Sequence, residues 1–152
     1  GTAVATAAIS IGVVGLSLRQ SRNQLADRQT PIAGLTAAFV FAAQMVAFPV
    51  AAGTSGHLLG GLLAAVLLGP ATGTLVVATV ILLQALVFAD GGITALGYNV
   101  LNMAVITAYG GYALYLGFRR VLPRNSSGVV MAGGLAAAAS VVLGAMAATC
   151  AA

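Results

Sequence analysis

The sequence predicts an all-α fold, a polytopic bundle of transmembrane helices, and three observations carry that reading. Of 152 residues, 61% are hydrophobic and only 5% are charged. The mean hydropathy is +1.08. The apolar residues fall in runs, with none of the strict alternation of a half-buried strand. A soluble domain carries roughly a quarter charged residues and could not solvate its surface with so few. Inside a bilayer each backbone polar group must be satisfied by the chain itself, which favours helices for such runs.

Six hydrophobic segments follow in order. The first covers about residues 2–18 and stops at Arg19 and Arg22. A polar link, RQSRNQLADRQT, leads to Pro31, which suits a first helical position because proline lacks the N–H that would go unpaired there. The second segment covers about residues 32–50 and stops around Pro49 and Gly53. The third, about 57–68, ends at GPATG. It is short for a crossing that needs about 20 residues, so it is either buried among its neighbours or extended by its flanks. The fourth covers about 74–88, the fifth about 94–118, and the sixth runs from about 127 onward. The chain opens at Gly1 inside an apolar run and stops at Ala152 inside another. Further native residues are therefore expected at both ends.

The net charge of +4 comes from arginine, against two aspartates. Arg19, Arg22 and Arg28 lie between segments one and two; Arg119, Arg120 and Arg124 lie between five and six. If all six segments cross, both clusters share one side, which the positive-inside rule makes cytoplasmic. That reading explains the basicity without nucleic acid. It also places GTSGH and the ADGG turn together on the outer face. Small residues at four-residue spacing, such as Ala8 with Gly12 and Gly60 with Ala64, permit close helix approach in lipid, though Ala and Gly are frequent enough for such pairs to arise by chance. Cys150 reads as a buried, inert thiol.

Absences narrow the function class. Without lysine there is no GxxxxGK phosphate loop, so the chain is not itself a P-loop ATPase. There is no glutamate to act as general base, no HExxH, and no second histidine to pair with a nucleophile. The charged chain needed for a proton relay through lipid is missing as well. What remains is a passive binding bundle driven by other chains, or a small pore.

Within that frame His57, in GTSGHLLGG, is the leading candidate for chemistry. Gly53 and Gly56 let the backbone turn tightly, and Thr54 and Ser55 are placed to cap a following helix. That arrangement would hold an imidazole at the outer mouth of a bundle, as metal capture needs. The plainer reading is a histidine that only starts a helix. One histidine makes no cage, so further ligands must come from elsewhere. Asp90, before two glycines, reads first as a turn former. Asn99 and Asn102 are three apart on the fifth segment and share a helix face. With Gln44 and Gln84 they read either as interhelical bridges or as a polar layer beneath an outward pocket. Met45 and Met103 read as packing.

The stretches AAFVFAAQMVAFPVAAGTSGHLLGGLLAAVLLGP and LLQALVFADGGITALGYNVLNMAV resemble the CbiM/NikM family. Its members are substrate-capture (S) components of energy-coupling-factor transporters for cobalt and nickel. The match is close over about residues 31–108 and looser elsewhere. The resemblance implies a single membrane domain over residues 1–152, usually of seven helices, the seventh lying beyond Ala152. It implies an N-terminus outside and a multi-pass place in the bacterial inner membrane. His57 maps onto the family's metal-binding histidine. The remaining ligands belong to a Met-His N-terminal segment that this sequence does not contain. Ser55, Asp90, Asn99, Asn102 and Gln44 are then candidates for the surrounding polar shell. Nitrogen ligands suit Co2+ or Ni2+ and disfavour Mg2+ and Ca2+, which prefer oxygen. FADGG and NVLNM lean toward the cobalt branch over a nickel-specific relative. Implied partners are a transmembrane coupling protein, separate cytoplasmic ATPase subunits and, in the cobalt branch, a small accessory membrane protein. The transported ion is cargo, and no permanent cofactor is expected. A small pore or scaffold with a structural His57 is the reading from another class.

Overall fold

The computed structural model describes the chain except residues 1, 23–28, 47, 52–53, 57–58, 90–91, 124 and 152; at 2–3, 48–51, 54–56 and 147–151 it describes the backbone alone. Among the described residues six helices carry the fold: α1 Thr2–Ser21, α2 Gln29–Met45, α3 Gly61–Leu68, α4 Pro70–Val87, α5 Leu96–Val121 and α6 Ser126–Ala151. Among the described residues four stretches are long and apolar enough to cross a membrane: Val4–Ser21, Pro70–Val87, Leu96–Val121 and Ser126–Met146. Large apolar side chains such as Ile11, Leu35 and Val130 point outward, as lipid-facing positions do in a bilayer.

At the centre lies α4, with 56% of its span buried. Val77, Val80 and Ile81 on this helix pack with Val40 of α2, Ala64 of α3, and Val100 and Ala104 of α5. Side-chain contacts fix the helix directions. Ser10 donates to the Gly97 carbonyl at 2.6 Å, and Ser17 meets Tyr109 at 3.1 Å. Both pairs advance together, so α1 and α5 run parallel. The Thr72 hydroxyl donates to Ser21 at 3.2 Å, which brings the start of α4 to the end of α1. The Phe41 and Phe88 rings meet at a tilt of 55° with centroids 5.5 Å apart, joining the far ends of α2 and α4. Arg19 and Arg22 therefore lie at the same end as Arg119 and Arg120, as the two clusters predict.

Around the third segment the structure departs most from the sequence reading. Helix α2 ends at Met45, and a two-stranded antiparallel ribbon follows: β1 Phe48–Ala51 and β2 Thr54–Gly56. Phe48 pairs with Gly56 and Pro49 with Ser55, with an irregularity between Pro49 and Ala51. Strands of four and three residues are too short for alternation to register, and proline is tolerated because both strands are edges. Thr54 and Ser55 lie in this ribbon rather than at a helix cap. The cap of α3 is Gly60, whose φ of 75° is left-handed.

Helix α3 has eight residues, about 12 Å of axis, and so cannot cross by itself. Its start, Gly61, packs on Met103 and Thr107, near the middle of α5. Gly61, Leu62, Ala64, Ala65 and Leu68 are all buried. The segment is thus walled in by its neighbours and begins inside the bundle. It ends at Gly69, whose φ of 85° turns the chain sharply into α4. GPATG is therefore a corner at Gly69 alone, with Pro70 opening the next helix.

Candidate metal-capture site

The site is built where the chain enters α3. A Cβ on Gly60 would lie 2.6 Å from Val40 Cγ1, so only glycine lets this backbone press onto α2. One residue earlier, the Leu59 carbonyl accepts a 2.8 Å hydrogen bond from Gln44 Nε2. Gln44 is 5% exposed, and its Oε1 is buried with no partner among the described residues. On the other side, Asn102 Oδ1 is also buried and unpartnered among them. A Cβ on Gly144 of α6 would meet Asn102 Oδ1 at 3.2 Å and Leu59 Cδ1 at 3.8 Å. Gln44, Leu59, Asn102 and Gly144 thus converge from α2, the α3 approach, α5 and α6.

Three more buried polar atoms lack partners among the described residues: Gln29 Oε1 at the start of α2, on the arginine-rich end, and Gln84 Nε2 and Tyr98 OH. Gln84 is one turn from Phe88 on α4, and Tyr98 stands in the first turn of α5, so both belong to the same end as the ribbon. Asn99 is half-buried beside Tyr98. Buried polar atoms normally find partners, and an orphan costs about 1–3 kcal/mol. The acceptors of Gln44 and Asn102, brought near each other through Leu59 and Gly144, can receive hydrogen bonds from an imidazole N–H or the water of a hydrated ion.

Asn102 also lies in the first turn of a long departure from α geometry. Residues Val100–Gly110 of α5 are π-helical, 11 in all, where such turns are usually single and favour functional sites. Met103 packs against the apolar core, which agrees with a packing role, whereas Met45 at the end of α2 is 39% exposed. His57 and Asp90 lie outside the described residues, as does the side chain of Ser55. Among the described residues no three of His, Cys, Asp and Glu gather closely enough to hold a metal. Tyr98 and Gly144 are the participants that sequence reasoning missed. Tyr98 stood in plain view inside LGYNVLNM, next to the asparagine that drew attention. Gly144 left no signal, because its contribution is the room it leaves for Asn102.

A family model for the "cobalt uptake substrate-specific transmembrane region", CbiM, matches residues 1–152. The chain belongs to the CbiM family. The cobalt transport protein CbiM of Thermosediminibacter oceani is 42% identical over 112 residues, covering 74% of this chain and 41% of that protein. The fused nickel transport protein NikMN of Rhodobacter capsulatus is 38% identical over 133 residues, covering 87% of this chain and 38% of that one. A crystal structure of a transition metal transporter superposes with a TM-score of 0.85 at 28% identity, covering 96% of this chain and 63% of the other. This CbiM chain therefore spans less than half of those two relatives and less than two thirds of the solved transporter. The shared architecture is that of membrane metal transporters, as the sequence resemblance implies.

Proposed function

We propose that this chain is the metal-capturing core of an S component, which takes a divalent transition-metal ion at its outer face and delivers it inward within an ATP-driven energy-coupling-factor importer. Co2+ is favoured over Ni2+. The observation that carries this reading is the convergence of Gln44, Asn102 and Gly144 on Leu59, two residues beyond His57. His57 supplies one imidazole ligand. An N-terminal Met-His segment of the full-length protein supplies the remaining nitrogens. The amides of Gln44, Asn99 and Asn102, with Ser55 and Asp90, steady that ligand set by hydrogen bonding. The arginine-rich end faces the cytoplasm of the cell that carries the protein, so the N-terminus lies outside its inner membrane. ATP hydrolysis belongs to separate subunits joined through a transmembrane coupling protein, with a small accessory membrane protein beside it. A nickel-specific S component is the second reading, favoured by the likeness to the Rhodobacter nickel protein.

Titration of the full-length protein with Co2+ and Ni2+ tests both. We expect one tight site, with His57→Ala weakening it by more than about 100-fold, beyond the roughly 10–100-fold typical of outer-shell partners. Cobalt affinity untouched by His57→Ala overturns the site and leaves a pore or scaffold. Tighter Ni2+ binding under direct competition selects the nickel reading.

A further inference from the structure

We propose that the cleft between α1 and α4 is a binding site for an anionic phospholipid, with one acyl chain in the cleft and the headgroup phosphate on Arg22. This stands on a different part of the molecule from the metal site and does not depend on it. Ala7, Ile11, Gly15 and Leu18 form one wall of an open groove of about 610 Å³; Leu75, Ala78 and Leu82 form the other. That volume lies within the roughly 300–1,000 Å³ typical of small-molecule sites. The groove is mainly hydrocarbon. Of the three hydroxyls along it, Ser10 shares its proton between the carbonyls of Thr6 and Gly97, and Thr79 donates to Leu75 O at 2.8 Å, while Thr94 stands at the end away from the arginines. Neither Ser10 nor Thr79 presents a free donor to a polar ligand.

The two ends of the groove differ. One is shut by the contact of α5 with α1, where a Cβ on Gly97 would lie 2.7 Å from Ala7 Cα. The other opens at the arginine-rich end. The wall positions 7, 11, 15 and 18 continue at 22, one turn on. The Arg22 amide bonds the Leu18 carbonyl at 3.2 Å, which keeps that turn helical. Arg22 therefore stands at the mouth, on the groove's own stripe. Thr72 bonds Ser21 beside it, so the positive end of the α4 dipole is there too. Residues 19–28 carry three arginines against one aspartate.

Length agrees with charge. From Ala7, where the groove is shut, to Arg22 the helix axis runs about 22 Å, inside a hydrocarbon core about 30 Å thick. A slot of that length, mostly apolar and ending in a guanidinium, fits a phospholipid of negative headgroup. Arginine pairs with phosphate oxygens in two-pronged fashion, and anionic lipid is attracted to each such residue near the surface.

The test is native mass spectrometry of the delipidated full-length protein with phosphatidylglycerol and phosphatidylcholine of identical chains. We expect about fivefold preference for phosphatidylglycerol, from one arginine contact. Arg22→Gln should abolish the preference, and Gly15→Phe should abolish binding of both lipids. Gly12→Phe should change neither, since Gly12 has nothing within 4 Å and does not line the groove. A second measurement guards against misfolding of the phenylalanine variants. A fluorophore on Leu18→Cys should be quenched by tail-brominated phosphatidylglycerol more strongly than one on Met131→Cys, an exposed position on α6. Equal binding of the two lipids, a preference that survives Arg22→Gln, or equal quenching at both positions overturns the proposal. So does cross-linking of Gly15→Cys to the coupling protein in an assembled importer that retains no phosphatidylglycerol, since the groove would then seat a protein helix.

Discussion

Asn102 holds a buried acceptor without a partner among the described residues, a configuration that weakens a fold unless something else uses the atom. Asn102→Leu has nearly the same shape and removes the orphan. The metal-free full-length protein should then unfold at a higher temperature, by the equivalent of about 1 kcal/mol, while its Co2+ affinity falls about tenfold. Thermal unfolding without metal, paired with metal titration, reads both. An asparagine serving only as interhelical glue predicts the opposite pairing, lower stability with affinity unchanged. At this scale the sequence was partly legible. Amides are rare enough in lipid for Gln44, Gln84 and Asn102 to stand out. Tyr98 did not, because tyrosine near a segment end ordinarily reads as an interfacial anchor. The Thr54 and Ser55 cap was misplaced because capping chemistry and ribbon chemistry favour the same small polar residues.

Helices α3 and α4 meet closely enough for one methyl group to matter. A Cβ on Gly73 would lie 2.6 Å from Ala65 N and 2.7 Å from Ala64 C, both backbone atoms unable to step aside. Gly73→Ala should therefore destabilise by about 1–3 kcal/mol through overpacking. Gly12→Ala, with nothing within 4 Å of the new carbon, should stabilise by about 0.5–1 kcal/mol through helix propensity. Thermal unfolding of the two variants in one detergent compares them directly. The opposite signs separate glycines that composition alone makes identical. The long helices were readable from hydropathy, since a crossing needs only length and apolarity. Where each begins was less so. Pro70 starts α4, and GPATG reads as a terminator until tertiary contact reveals Gly73 as a packing residue. The π-helical stretch of α5 had no sequence mark at all, because its bonding pattern is set by the partners around it.

For the molecule as a whole, the arginine clusters gave the most from the fewest residues. Charge in loops is sorted by the membrane before any packing forms, so parity could be counted without knowing a contact. The prediction is tested by labelling from outside the cell with a thiol reagent that cannot cross lipid, in a Cys150→Ala background. Cysteine at Ile93 should react, and cysteine at Gln20 or Ser126 should not; the reverse pattern inverts the orientation. Gln20 replaces the neighbouring Ser21 for this purpose because Ser21 is buried against Thr72.

An eight-residue helix has a bearing on biogenesis. The insertion machinery judges each emerging stretch by length and apolarity, and α3 is too short to be retained on that test. Its lodging requires α4 and α5 to be present already, although both are synthesised later. The third segment should thus settle last, after the flanking helices have entered the bilayer. Nascent chains cut at Leu68 and fused to a topology reporter should leave residues 48–68 outside the membrane, and chains extended past Val121 should draw them in. The ribbon and α3 would then be the final pieces placed, seated only once the surrounding wall stands.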